Sequence, residues 1–160
     1  MKTRTPESLQ EPLLGLTGYV LRRASTAALG EFSHKLASLD LRPTDAALLV
    51  LIDAAPEVTH SEAAETLGLR RPNLVPVVAG LEKRGLIARS PDPHDSRAKR
   101  AVATPEGIAL VEEVRAVGRV VYEHAMRGIS ATERKQLLDM LSRMKENVLA
   151  MNADQKELVE

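Results

Sequence analysis

Two clusters of side chains carry most of the chemistry open to this chain. Arg70, Arg71 and Asn73 precede a wholly apolar stretch, Leu74-Val75-Pro76-Val77-Val78-Ala79-Gly80-Leu81, and Asp95, Arg97, Lys99 and Arg100 follow a Pro-rich segment. A guanidinium presents a planar fork of donors that fits phosphate oxygens or the edge of guanine, and an asparagine carboxamide pairs with the edge of adenine in bidentate fashion. Val75 and Pro76 offer the apolar contact that suits a thymine methyl. Asp95, two residues before Arg97, would hold that arginine extended through a charge-assisted hydrogen bond. Other chemistry has less to stand on. His34, His60, His94 and His124 have no partner at the spacing of a helical metal site, and the chain has no cysteine. No Gly-rich phosphate loop, nucleophile elbow or zinc-protease helix occurs. Asp92, His94 and Asp95 sit in a Pro-rich turn, where loop hydrogen bonding explains them better than acid-base or metal catalysis. The expectation is a binding protein with no catalytic residue, metal or cofactor.

Charge supports the same clusters once it is read by segment. The 160 residues hold 22 Lys plus Arg against 22 Asp plus Glu, which taken whole argues against a nucleic-acid partner. Residues 1–68, however, hold 6 basic and 9 acidic side chains, residues 69–104 hold 8 and 3, and residues 105–160 hold 8 and 10. A basic island between acidic flanks suits local capture of a polyanion, with the flanks limiting non-specific attraction. Tyr19, Phe32 and Tyr122 are the only rings, so the core must be aliphatic. The apolar run Ala46 to Ile52 is far short of the roughly 20 residues of a membrane helix, and no apolar stretch backs the charged N-terminus. A soluble cytoplasmic protein with no membrane partner is expected.

The elements that must position these residues follow from periodicity and punctuation. Leu9, Leu13, Leu16 and Val20 recur at helical spacing, which predicts a long helix from about Pro12 to Ser38. Pro43 suits a first helical position for a second helix ending before Pro56. Thr59 and Glu62 form a capping box for a short helix stopped by Gly68, and a further helix runs from Arg71 or Pro72 to Arg84 before Gly85. Pro76 removes a hydrogen bond inside that helix and predicts a distortion near its start. Leu86 to Arg89 and Arg100 to Ala103 read as a β-hairpin, and Thr104-Pro105-Glu106 opens another helix. A second capping box, Ser130 with Glu133, opens a last helix carrying Leu137, Leu141, Met144, Val148 and Met151, with a fraying tail after Asn152. A short capped helix, a glycine turn, a second helix and a basic hairpin make a winged helix-turn-helix, whose second helix fits the major groove while the hairpin reaches the backbone and minor groove. The fold class is therefore mainly α with a small β-hairpin wing. Residues 41–104 form the DNA-binding lobe and residues 1–40 with 105–160 a helical dimerisation region. Pairing terminal helices from two subunits would bury their apolar stripes, as would an intramolecular bundle.

Ser61-Glu62-Ala63-Ala64-Glu65, Leu67-Gly68-Leu69, Leu81-Glu82-Lys83-Arg84-Gly85-Leu86-Ile87 and Asp95-Ser96-Arg97 with Thr104-Pro105-Glu106-Gly107 stand in register over about 50 residues. In these motifs the chain resembles the MarR transcriptional regulators, whose wing carries Asp-x-Arg and then Thr-x-x-Gly. The resemblance implies a triangular homodimer in which two winged lobes read a pseudo-palindromic operator in double-stranded DNA, most simply as a repressor. It also implies a small-molecule effector, often an aromatic acid or other anion, that weakens DNA binding; Tyr19, Phe32, Tyr122 and Met126 are candidate lining residues, although rings and methionines on helical stripes are more often core. Arg71 and Asn73 fall at the start of the recognition helix and Arg97 at the wing arginine; Arg71 serves a phosphate or a base, and Asn73 reads sequence. The apolar interior of the recognition helix departs from the family, which commonly carries polar or basic residues there, often Asp-Arg where this chain has Ala79-Gly80. A second reading follows from that departure: a dimeric winged-helix protein-interaction module with weak or lost DNA binding.

Overall fold

The computed structural model describes residues 10–56, 58–91 and 99–157, and is mostly helical with one two-stranded antiparallel sheet. The helices are α1 Thr17–Leu36, α2 Pro43–Ala54, α3 His60–Thr66, α4 Arg71–Lys83, α5 Pro105–Ala125 and α6 Ala131–Glu157; β1 is Ile87–Pro91 and β2 Lys99–Ala103. Two ends differ from expectation. Pro12 opens only a single 3-10 turn, Glu11–Leu13; the chain is extended at Leu16, and α1 begins at Thr17. Gly15 lies in what would have been the first turns of a longer helix, where its backbone freedom opposes helix formation. At the other end α6 continues past Asn152 to Glu157, because the segment contains no glycine or proline to stop it.

The described residues divide into two compact units, parted between Tyr122 and Glu123. In the first, three helices end in the same way. Asp40, Gly68 and Gly85 adopt positive φ of 52°, 64° and 70°. Just beyond each, a leucine amide reaches back: Leu41 to Leu36 O at 3.2 Å, Leu69 to Ala64 O at 2.8 Å and Leu86 to Leu81 O at 3.0 Å. This satisfies carbonyls that a helix end leaves orphaned and turns an apolar side chain inward. The core that results is aliphatic throughout. Leu36, Leu48, Leu49, Leu74, Leu81 and Val111 are its most enclosed large side chains, so α1, α2, α4 and α5 all contribute to one interior. Phe32 packs against it from the edge.

One polar group is drawn into this unit. Asp45, the third residue of α2, accepts hydrogen bonds from the Arg42 amide at 3.0 Å and from Arg42 Nε and Nη2 at 2.9 and 2.8 Å. Burial opposes its ionisation, but the Arg42 hydrogen bonds and the charges of Arg42 and Arg84 outweigh burial and hold the carboxyl below its ordinary value of 3.8. A carboxylate with a lowered folded pKa lends its full stability above the unfolded pKa and loses it as pH falls through the folded one. Asp45→Asn should therefore cost about 1 kcal/mol at neutral pH. In urea unfolding at a series of pH values, the difference from wild type should shrink below about pH 4.

The second unit, Glu123–Glu160, contains the turn at Gly128 and α6. Its capping box forms as the sequence implies: Ser130 Oγ accepts from the Glu133 amide, and the Glu133 carboxylate accepts from the Ser130 amide at 2.8 Å. The Ser130 hydroxyl also donates to that carboxylate at 2.6 Å, and this bond, with that of the Ser130 amide, holds the Glu133 carboxyl below its usual range. Arg134 ties the turn to the carbonyls of Met126 and Ile129. Along α6, Leu138, Met140, Leu141, Met144, Val148, Leu149 and Met151 are exposed.

Candidate nucleic-acid interface

The helix-turn-helix is built from α3, the Gly68 turn and α4. Thr59 Oγ1 accepts from the Glu62 amide at 3.2 Å, and the Glu62 carboxylate accepts from the Thr59 amide at 2.8 Å, so α3 starts at a fixed point. The Thr59 hydrogen bonds hold the Glu62 carboxyl below its usual range, with a smaller contribution from the charge of Arg100. Along α4, Leu74, Val77, Val78 and Leu81 are buried at three- and four-residue spacing. That stripe fixes which side faces out: Arg70, Arg71, Pro72, Asn73, Val75, Pro76, Ala79 and Gly80 are all exposed. Arg70 is the N-cap and Arg71 the first helical residue, so both guanidinium groups and Asn73 stand at the positive end of the helix dipole. The expected distortion at Pro76 does not interrupt α4, which runs unbroken from Arg71 to Lys83. The carbonyl that Pro76 leaves unpaired belongs to Pro72, in the exposed first turn, where water can satisfy it.

The wing is longer than the strands read from sequence. β1 and β2 pair from Ile87 opposite Ala103 to Pro91 opposite Lys99, and Thr59 bridges to the far side of Arg100. The Arg100 backbone thus lies between β1 and the start of α3, and the residue is half-buried. Lys99 is the first residue of β2. Asp95 and Arg97, with Asp92 and His94, lie outside the described residues. The base of the wing is locked to α5 by Thr104. Its hydroxyl donates to the Gly85 carbonyl at 2.7 Å and accepts from the Gly107 amide at 3.0 Å, and its own amide donates to Leu86 O at 3.1 Å. Gly107 is buried directly against the Leu86 carbonyl, which any Cβ at that position would overlap. The Thr-x-x-Gly pattern is therefore the joint between the turn after α4 and the start of α5.

Two arginines missed in the sequence set the frame. Arg89 of β1 pairs with Glu82 of α4 at 2.9 Å, tying the wing to α4. The Glu82 hydrogen bond raises the Arg89 pKa further above its usual value. Arg84, at the end of α4, donates to the carbonyls of Asp40 and Leu39, tying that helix to the turn after α1. Neither pair has a local spacing rule to reveal it, since each joins different elements. Among the described residues no group of three or more His, Asp or Glu could hold a metal ion, and no helix is long and apolar enough to cross a membrane.

A family model of the MarR family matches residues 39–98, the lobe just described. Among solved structures, the transcriptional repressor CouR bound to a 23-mer DNA duplex is 31% identical, with a TM-score of 0.79 over 85% of this chain and 96% of that one. A MarR-family transcriptional regulator from Rhodococcus sp. RHA1 is 31% identical, with a TM-score of 0.74 over 85% of this chain and 94% of that one. The chain belongs to the MarR family. CouR from Rhodococcus jostii RHA1 has also been solved with p-coumaroyl-CoA, and is 32% identical with a TM-score of 0.77 over 82% of this chain and 93% of that one. As a MarR-type transcriptional regulator, this chain presents a winged helix-turn-helix made of α3, the Gly68 turn, α4 and the β1–β2 wing. Arg70, Arg71, Asn73 and Val75 are each exposed on α4 or its N-cap, while Arg100 of β2 is half-buried and bridges to Thr59.

Proposed function

We propose that this MarR-family regulator is a homodimeric repressor that reads a pseudo-palindromic operator with α4 and grips flanking DNA with its wing. The observation that carries the reading is the outward placement of Arg70, Arg71 and Asn73 at the exposed N-terminus of a helix whose other face is buried. Residues 41–104 form the reading lobe, and residues 1–40 with 105–160 the dimerisation region. Asn73 pairs with an adenine edge, Arg70 and Arg71 take phosphates or a base, and Lys99 and Arg100 add positive charge along the wing. Arg97, supported by Asp95, reaches into the neighbouring minor groove. Arg97→Ala should then weaken binding and make its salt dependence shallower, because each lobe loses one cationic contact. Affinities measured by fluorescence anisotropy at several salt concentrations check this, and unchanged affinity would remove Arg97 from the interface.

The dimer is supported by apolar side chains that the single chain leaves exposed. On α1 these include Val20 and Leu29, and on α6 Leu138, Leu141, Val148 and Leu149. Light scattering should give twice the chain mass of 17.4 kDa; a monomer at all concentrations would contradict it. The effector is a small aromatic or anionic molecule that lowers DNA affinity. CouR bound to p-coumaroyl-CoA supports it by analogy. So do the rings at hand, Phe32 and Tyr122 with centroids 6.1 Å apart, and Tyr19 beneath the Arg22 guanidinium.

A further inference from the structure

From Leu74 to Leu81 the recognition helix has no side chain able to make a hydrogen bond. Its outward face there is Val75, Pro76, Ala79 and Gly80, all exposed, with Val75 at 63%. Three of these residues are costly where they stand. Pro76 forfeits a helical hydrogen bond. Gly80 loses more conformational freedom than alanine would, yet among the described residues a Cβ built there meets no atom within 4 Å. Val75 leaves a β-branched apolar side chain in water. Contacts within the chain do not account for a face so smooth and apolar between Asn73 and Lys83. Close approach to a surface that presents methyl groups does.

We infer that α4 reads thymine methyl groups through Val75 and Pro76, so that the operator half-site carries thymine immediately beside the adenine read by Asn73. The inference rests on the proposed DNA-binding reading and specifies which duplexes it selects. In the major groove the thymine C5-methyl is the feature that an apolar side chain distinguishes, and small residues at 79 and 80 let the helix lie close to the base edges. Arg70 and Arg71 at one end and Lys83 at the other supply the charge that brings this apolar strip against a polyanion.

Deoxyuridine differs from thymidine only by lacking that methyl, which gives a clean test. In a duplex recovered by selection from random DNA, each thymine is replaced singly by deoxyuridine, and binding to the full-length protein is measured. At one or two positions per half-site, affinity should fall about fourfold, the factor that corresponds to ~0.8 kcal/mol for one buried methyl at 1.4 kcal/mol per tenfold. Val75→Ala, an exposed change that circular dichroism should show to be folded, should bind more weakly to the thymine duplex and no longer respond to deoxyuridine at that position. If every deoxyuridine duplex binds like its parent while Asn73→Ala still weakens binding, methyl reading is wrong and the DNA reading stands. If selection recovers no preferred duplex, the DNA reading fails and takes this inference with it.

Discussion

Gly107→Ala should lower the stability of the whole lobe by about 1–3 kcal/mol, the usual range for overpacking a filled core. The added Cβ would overlap the Leu86 carbonyl and come within 3.4 Å of Leu49 Cδ1. Backbone cannot move aside as a flexible side-chain tip does, and Leu86 is already committed: its amide donates to Leu81 and its carbonyl accepts from Thr104. Relief therefore requires α5 to shift from the root of the wing. For a chain of this size each kcal/mol corresponds to roughly 2–4 °C in Tm. Thermal unfolding followed by circular dichroism measures the change. A Tm within error of wild type would mean that the Thr104–Gly107 joint is not the close contact described.

Asn73→Ala should leave folding intact and weaken specific DNA binding by about 1–3 kcal/mol for each lobe that makes the contact. Asn73 is exposed and its amide already donates to the Arg70 carbonyl at 2.9 Å, so truncating the side chain disturbs no internal bond of the backbone. Loss of the carboxamide would remove a base-edge contact and relax preference at one position of each half-site. Arg70 and Arg71 would remain to hold phosphates, and non-specific binding should change little. Competition of wild type and variant for a panel of single-base operator variants measures both effects. An unchanged preference at every position would take Asn73 out of base reading.

Much of the fold was legible because its signals are local. Thr59 with Glu62, Ser130 with Glu133, and Gly68 and Gly85 each act within a few residues, and the structure forms the caps and left-handed turns these residues imply. Which residues of α4 are buried was not legible, because Leu74 to Leu81 is apolar throughout and no period separates the buried Leu74, Val77, Val78 and Leu81 from the exposed Val75, Pro76, Ala79 and Gly80. What sequence concealed depends on contacts between distant segments. The register that carries β1 to Pro91, the Thr59 bridge to Arg100, and the Arg84 and Arg89 ties all join segments that no helical or strand period relates. The start of α1 was hidden because the apolar period runs smoothly through Gly15, while the backbone is extended at Leu16. Pro76 does not end α4, since its missing bond falls where solvent can replace it. Of the candidate site, the place of Arg71 and Asn73 at the start of a helix after the Gly68 turn was legible; the exposure of Val75 and the half-buried position of Arg100 were not.

On the proposed reading, two copies of this lobe recognise DNA in a sequence-dependent way. Selection from random double-stranded DNA at one fixed salt concentration, followed by affinity measurement across salt, tests it most directly. A pseudo-palindrome whose half-sites are centred about one helical turn apart or a multiple of it should be enriched, with log affinity falling linearly against log salt. Recovery of sequences no different from the starting pool, or affinity indifferent to salt, would contradict it.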